Sequence, residues 1–363
     1  MASAIFYFAI ATITAYANHL AVNANQKSRS IMAWISVLIP ATFAGIRYGI
    51  GTDYFVTYKP YFNYLAGIGQ LELNRRDNLE IGYYLLNELV IKLHGNFQMV
   101  LFLSSVITFI VFRKAILVYK DRLHVGLATF VLMLLYYQTS LNIVRQMIAA
   151  PIILYAFHFI EEKNPKKFTF WVIVATLFHT TAIVALPFYI FINYFIQKKS
   201  GLFISTVYLI LILAVFNFDK FATIVNYIDS SGYYVSYFRK VSSFKLSIGL
   251  LIRTVPYIIA VFLMRFRIRG DKTMQLYLHS FLLGNIVRLI VYMTQFDADR
   301  IALYFLVPQV IFIPYLTKYY KRSWGEFIAS TLLVTFVVII WYFDFIYMGR
   351  TATIPYVTVF GGQ

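Results

Sequence analysis

Residues 168–196 read FTFWVIVATLFHTTAIVALPFYIFINYFI. As one straight helix this stretch would run roughly 43 Å, well past the roughly 30 Å of a bilayer's hydrocarbon core. The polar triplet His179-Thr180-Thr181 sits near its middle. Two short helices meeting at the triplet would make a re-entrant hairpin, and non-helical backbone at that depth is tolerated only beside a cavity. A hairpin and a single crossing give opposite orientations to everything that follows. The loop charges decide between them. With a hairpin, Lys27/Arg29, Arg113/Lys114/Lys120/Arg122, Lys163/Lys166/Lys167, Lys198/Lys199, Arg265/Arg267/Arg269/Lys272 and Lys318/Lys321/Arg322 all fall on one side. That side is the cytoplasm by the positive-inside rule. A single crossing would put Arg265–Lys272 outside, against the rule.

The rest of the chain has the same character. Of 363 residues, 60% are hydrophobic and 13% charged. A disordered chain needs the reverse balance, and soluble proteins carry about 25% charged residues. Further apolar runs occupy Ala2–Ala21, Ile31–Ile46, Phe97–Phe112, Val125–Ser140, Ile143–Ile160, Leu202–Phe218, Leu246–Met264, Met274–Thr294, Ile301–Thr317 and Phe327–Tyr347. The first is expected to be retained, since no small-residue cleavage signature follows it. Glu80–His94 is amphipathic, with Glu88 and Lys92 opposite its apolar residues, as in a helix lying at the interface. The expected fold is an all-α polytopic integral membrane protein. It has about ten transmembrane helices, the re-entrant hairpin and the outer interfacial helix. No internal repeat or linker appears, so residues 1–363 read as one membrane domain, with outer loops 48–96 and 219–245 contributing to its site. Both termini face outward.

Several chemistries are excluded. There is no cysteine, hence no disulfide framework and no thiolate zinc site. No Gly-rich phosphate loop, His-Glu-x-x-His or Gly-x-Ser-x-Gly occurs, so a nucleotide-driven pump and a zinc protease are set aside. The net charge of +17 fits cytoplasmic loops and calls for no nucleic acid.

Arginine inside a span costs about 2.5–3.5 kcal/mol at the helix centre. Arg145, Arg253 and Arg288 qualify. Asn142, Arg145, Gln146 and Ala149 fall at i, i+3, i+4 and i+7, one face of a helix expected to open at Asn142. Either Arg145 snorkels to headgroups, or the stripe is an anion site at the outer mouth. Arg47-Tyr48-Gly49-Ile50-Gly51-Thr52-Asp53-Tyr54 follows the second span. Its glycines allow a sharp turn, with Arg47 and Asp53 flanking a tight outer loop; an Arg anchoring a helix end is the plainer reading. A lone His179 in apolar sequence is more often a hydrogen-bonded structural residue, but at a predicted helix break it also suits a general base. Thr180, beside it, is expected to help bind the substrate. Asp297-Ala298-Asp299-Arg300 is an outer turn whose acids suit a helix N-terminus better than a cation. Arg288 lies nine residues before Asp297, at depth on the same side. The outer loops are rich in Tyr, Tyr54 among them. Tyrosine joins an apolar ring to a hydroxyl, which serves an aromatic belt or a sugar site. Outside the membrane an enzyme needs a substrate already activated, and a lipid-linked pyrophosphate sugar is one.

Four motifs follow in order: Arg47-Tyr48-Gly49-Ile50-Gly51-Thr52-Asp53-Tyr54, Glu80-Ile81-Gly82-Tyr83-Tyr84, Asn142-Ile143-Val144-Arg145-Gln146 and Phe178-His179-Thr180-Thr181-Ala182. Together they resemble the EpsG/Wzy-type bacterial polysaccharide polymerases, and the tail Ile354-Pro355-Tyr356 is similar to theirs. The resemblance covers nearly the whole chain, although nothing comparably sharp follows Ala182. It implies a glycosyltransferase C-like enzyme of the bacterial plasma (inner) membrane, with its site facing the periplasm or outside. Such an enzyme moves the growing glycan from undecaprenyl pyrophosphate to the sugar of a new lipid-linked unit, with no cofactor and no metal. The polymer would be O-antigen, capsule or exopolysaccharide. A chain-length regulator is expected as a partner from the family only.

In that chemistry Arg145 and Arg47 hold the departing pyrophosphate, with Arg288 or Arg300 as a third. His179 is the first choice of base and Asp53 the second. Glu80, Asn142 and Gln146 orient sugar hydroxyls or the arginines. Rival readings are a flippase for the same lipid-linked sugar, an O-antigen ligase, and a glycan O-acyltransferase. A flippase should show paired halves and polar residues through its whole depth, whereas here the polar residues gather on one side.

Overall fold

The computed structural model describes residues 1–69, 79–196, 201–216, 251–259, 268, 270–291, 298–317 and 323–361. Among them the secondary structure is helical, with one isolated antiparallel bridge between Arg47 and Thr358. The helices used below are α1 (Ala2–Asn23), α2 (Gln26–Gly45), α3 (Lys59–Leu65), α4 (Ile81–Lys92) and α5 (Phe97–Leu117). Then come α6 (Val125–Asn142), α7 (Val144–Ala156), α8 (Pro165–Thr176), α9 (Gly201–Phe216) and α10 (Lys272–Val291). Last are α11 (Arg300–Thr317) and α12 (Phe327–Tyr347).

Five of these, α1, α5, α6, α11 and α12, are long and apolar enough to cross a membrane. They mark a multi-pass membrane protein. The tally falls short of the ten expected partly because the Leu246–Met264 run is described only at 251–259. Another cause is interruption: the Ile143–Ile160 run divides into α7 and a short turn of helix at His158–Glu161. Outward residues on α12 are large and apolar, among them Phe327, Ile328, Leu332 and Ile339. Such a surface suits hydrocarbon and would be a liability in water.

The described chain forms two compact units. The first comprises Met1–Tyr155, Trp171–Ala182 and Val310–Gln363; the second comprises Ala156–Phe170 and Ile183–Gln309. In the first, α1 lies against α2 and α6, and α2 against α5. Polar groups tie these helices inside the apolar core, where unmet hydrogen bonds are costly. Asn18 Nδ2 donates to Thr129 Oγ1 at 2.7 Å, and Arg113 Nε donates to Asn18 Oδ1 at 2.9 Å. Tyr137 donates its hydroxyl proton to the Pro40 carbonyl at 2.9 Å.

The tail is stitched onto the same unit. Val359 N donates to Ile46 O, Tyr48 N to Val357 O, and Gly51 N to Ala352 O. Tyr7 donates to Thr353 O, and Gln138 bridges Thr353 Oγ1 and the Trp341 indole. The backbone of loop 46–51 is therefore held from its tail side.

In the second unit α10 packs on α9 and on the first turns of α11. Ser280 donates to Phe305 O at 2.8 Å. Tyr208 is hydrogen-bonded to His279 at 2.7 Å with the two rings stacked.

Candidate active site

The expected helix break falls at the polar triplet. α8 ends at Thr176, Leu177 and Phe178 leave the helix, and a 3-10 segment begins at Thr180. The break exposes backbone groups that a helix would satisfy, and a carboxylate meets one of them. Glu80 Oε1 accepts the Thr180 N–H at 3.2 Å and lies 2.8 Å from His179 Nδ1. Its other oxygen, Oε2, accepts from Arg145 Nη1 at 2.5 Å. One carboxylate thus joins three of the four sequence motifs.

Glu80 stands at the N-cap of α4 but makes no side-chain bond to its own helix. N-cap carboxylates ordinarily take the first free N–H groups, so this one is diverted. Gly82 permits the diversion. Its N–H donates to Leu177 O at 2.7 Å, and an added Cβ would lie 2.7 Å from that same oxygen. Only glycine brings α4 this close to the break.

Burial pushes the Glu80 carboxyl up. The hydrogen bond from His179 and the charge of Arg145 outweigh that and hold it at about 2, below the ordinary 4.5. It is an anion at any physiological pH. His179 is buried, and its Nε2 has no hydrogen-bond partner among the described residues. With Nδ1 given to Glu80, Nε2 is left as the free basic atom.

Arg145 departs from its expected setting. The chain does not open one helix at Asn142. α6 ends there, Ile143 leaves helical geometry at φ −94° and ψ 63°, and α7 starts at Val144. The stripe Asn142–Arg145–Gln146 is therefore divided by a kink. Arg145 sits in the first turn of α7, the positive end of a helix dipole and a poor place for a cation. Glu80 offsets this, and the Tyr58 hydroxyl adds a hydrogen bond to Arg145. Arg145 keeps 17% side-chain exposure, enough to meet a ligand. Gln146 is buried behind it.

Asn142 serves the neighbouring loop. Its Oδ1 accepts from Thr52 Oγ1 at 3.0 Å and from the Asp53 N–H at 3.1 Å. Gly51 makes room, with φ +93° and a virtual Cβ 2.9 Å from Leu141 O. Asp53 is half-buried at the start of a wide helical turn, Tyr54–Tyr58. Tyr54 is buried, its hydroxyl accepting from Gln98 at 3.1 Å.

Arg47 takes a place unlike the one expected. It is 1% exposed. Nη1 donates to Ala44 O and Nη2 to Leu141 O at 3.0 Å. These carbonyls end α2 and α6, the negative ends of two helix dipoles. The plainer sequence reading, an Arg anchoring a helix end, describes this geometry.

Arg288 and Arg300 belong to the second unit. Arg288 is half-buried in α10, and Arg300 is exposed at the start of α11. Asp297 and the expected outer loop 219–245 lie outside the described residues. Sequence reasoning missed Tyr58 as a partner of Arg145. It also missed Gln138, whose signal was a lone amide in the apolar run Val125–Ser140.

The family model described as the EpsG family matches residues 30–358. The chain belongs to the EpsG family. No curated protein and no solved structure matches it. EpsG membership suggests a polysaccharide polymerase role and is consistent with glycosyltransferase-like chemistry. In this EpsG protein the match takes in every residue of the Glu80 cluster.

Proposed function

We propose that the chain is a membrane glycosyltransferase, glycosyltransferase C-like in fold, that polymerises oligosaccharide repeat units carried on undecaprenyl pyrophosphate. It works at the outer face of the bacterial plasma membrane, as one membrane domain with a re-entrant hairpin at Phe168–Ile196. The observation that carries the reading is the Glu80 carboxylate shared between Arg145 and His179.

The reaction needs two things at once. The bond between the donor's anomeric carbon and pyrophosphate breaks, leaving charge on the phosphate oxygens. An acceptor hydroxyl oxygen bonds to that carbon and loses its proton. Arg145 is a fixed, non-titrating cation for the first event. His179 Nε2 takes the proton in the second. Glu80 touches neither reacting atom. It fixes the imidazole tautomer and aims the guanidinium, as the carboxylate of a nucleophilic triad orients its histidine. Asn142 and the buried Arg47 shape loop 46–53 from behind, and the buried Tyr58 steadies Arg145.

The test is the surface glycan of a strain lacking this gene, separated by size. Complementation with wild type should restore a ladder. Arg145→Ala and His179→Ala, present at normal protein level, should leave single repeat units only. A ladder from either variant would sink the mechanism. Loss of even the single-unit band in the deletion strain would point to a flippase.

A further inference from the structure

Gln138 is an amide in the apolar run of α6, and it is fully buried. A polar side chain in such surroundings is costly unless it is hydrogen-bonded, and both ends of this one are. The Trp341 indole donates to Oε1 at 2.6 Å, and Nε2 donates to Thr353 Oγ1 at 2.8 Å. An indole N–H can only donate, which fixes the oxygen end of the amide. A wide helical turn, Met133–Tyr137, comes just before Gln138. It sets off the last turn of α6, Gln138–Asn142, from the body of the helix.

That last turn is gripped at both ends. Gln138 and Asn142 are four residues apart and share a helix face. From Gln138 the contacts run to Thr353 in the tail. Ala352, next to it, accepts at its carbonyl from the Gly51 N–H at 3.1 Å. Thr52 Oγ1 and the Asp53 N–H then donate to Asn142 Oδ1. The contacts form a closed ring of helix turn, tail, loop and helix turn again. Its tail portion is strained. Thr351 and Ala352 have φ of 67° and 47°, a region that a β-branched residue such as threonine rarely occupies. Such backbone persists where its surroundings over-determine it, and it clusters at functional sites. Thr353, which follows, is 1% exposed, and its carbonyl accepts from Tyr7 at 2.8 Å.

What the ring holds in place is the start of α7. Ile143 leaves helical geometry after Asn142, and Arg145 stands in the first turn beyond it. From there Arg145 reaches Glu80. A rotation of the Gln138–Asn142 turn would carry Arg145 with it. We propose that Gln138 is a positioning residue of the transfer site: by tying the last turn of α6 to the tail, it sets the direction in which α7 presents Arg145. The proposal rests on the polymerase reading. Gln138 touches no substrate and acts through Arg145.

The experiment uses the full chain, purified in detergent and supplied with lipid-linked repeat units. It reads turnover per folded molecule, donor KM and unfolding midpoint. Gln138→Leu keeps the bulk but leaves the Trp341 N–H without its acceptor and Thr353 without its donor, so the midpoint should fall. Turnover per folded molecule should also fall, about ten-fold, since misplacing a catalytic group by about 1 Å costs up to about 10²-fold. KM should change little, because Arg145 acts on charge that develops in the transition state. Thr353→Val loses the acceptor and should follow Gln138→Leu, whereas Thr353→Ser should keep wild-type turnover. The deciding measurement repeats Gln138→Leu in an Arg145→Lys background. A residue that acts through Arg145 has little left to misplace there, so turnover should drop less than about two-fold further, while the midpoint falls in both backgrounds. Unchanged turnover per folded molecule, or an equal loss of turnover in both backgrounds, would overturn the proposal. If Gln138→Leu does not fold, Thr353→Val carries the same test. A folded wild type that joins no units would instead refute the polymerase reading, and with it the role given to Gln138.

Discussion

Arg47 and Arg145 belong to the same unit and each stands where one helix gives way to the next, yet their surroundings are opposite. Arg47 is sealed in, with its guanidinium on the carbonyls of Ala44 and Leu141. Arg145 faces a carboxylate and a tyrosine and stays partly open. One cation meets helix C-terminal dipoles; the other sits at a helix N-terminus and needs Glu80 to be tolerated there. On the proposed mechanism, the difference separates a bolt from a tool. A guanidinium buried on backbone carbonyls stabilises the fold and presents no surface to a ligand. A guanidinium that keeps 17% of its side chain exposed beside its carboxylate offers a surface that a phosphate could meet.

The sharpest way to break this comparison is to exchange each arginine for lysine. Arg145→Lys keeps the charge but loses the fork, and polymerisation by the purified protein on lipid-linked units should fall about 10²–10³-fold. His179→Ala should cost about 10²–10⁴-fold. Arg47→Lys can reach only one of its two carbonyls. Stability should drop by about 1–3 kcal/mol, read as a lower unfolding midpoint, while activity per folded molecule changes less than about ten-fold. If Arg47→Lys were instead as inactive as Arg145→Lys at an unchanged midpoint, the assignment of roles would be reversed.

Gly82→Ala tests whether closeness of α4 to the break is what the site requires. The new Cβ meets the Leu177 carbonyl at 2.7 Å, and backbone must shift. A shift of about 1 Å at the reacting groups costs up to about 10²-fold. The rate should fall with the substrate KM little changed.

These contrasts were only partly legible in sequence. The helical membrane character was, because apolar runs of span length have few other uses. So was the break at His179, since a polar triplet inside a run too long for one helix has to go somewhere. That Glu80, Arg145 and His179 are candidates for one site was visible in motif order. That one carboxylate joins them was not. Residues 80, 145 and 179 lie far apart in the chain, and no periodicity links them. The kink at Ile143 was hidden for a similar reason: Ile is an ordinary helix residue, and its conformation there is imposed by tertiary packing. Arg47 was the reverse case. Its motif resembled a site, and only its partners reveal a cap.

Acid sharpens the comparison further. The Glu80 carboxyl is held at about 2 in the folded chain against an ordinary 4.5. A depressed carboxyl adds stability that is fully present above about pH 4.5 and is lost as the pH falls through about 2. The unfolding midpoint of wild type should therefore exceed that of Glu80→Gln near neutrality, and the gap should close toward pH 2. Arg47→Lys titrates no carboxylate, so its deficit should stay constant across the same range. A smaller stability effect is expected at Asn142→Ala, which removes acceptors from Thr52 and the Asp53 N–H. The loss should be about 1–2 kcal/mol.

The smallest effect concerns Thr180, which sequence places beside His179. Its contact with Glu80 runs through the backbone N–H, and the residue itself is exposed. Thr180→Ala keeps that N–H and removes only a hydroxyl that meets solvent. Surface changes of this kind fall within about ±0.5 kcal/mol, so polymer yield and ladder length should match wild type within about two-fold. The result discriminates because the neighbouring residue behaves oppositely. If Thr180→Ala silenced the enzyme as His179→Ala does, the hydroxyl would be touching substrate. The 3-10 segment would then be a binding wall, and not only the support that presents an N–H to Glu80.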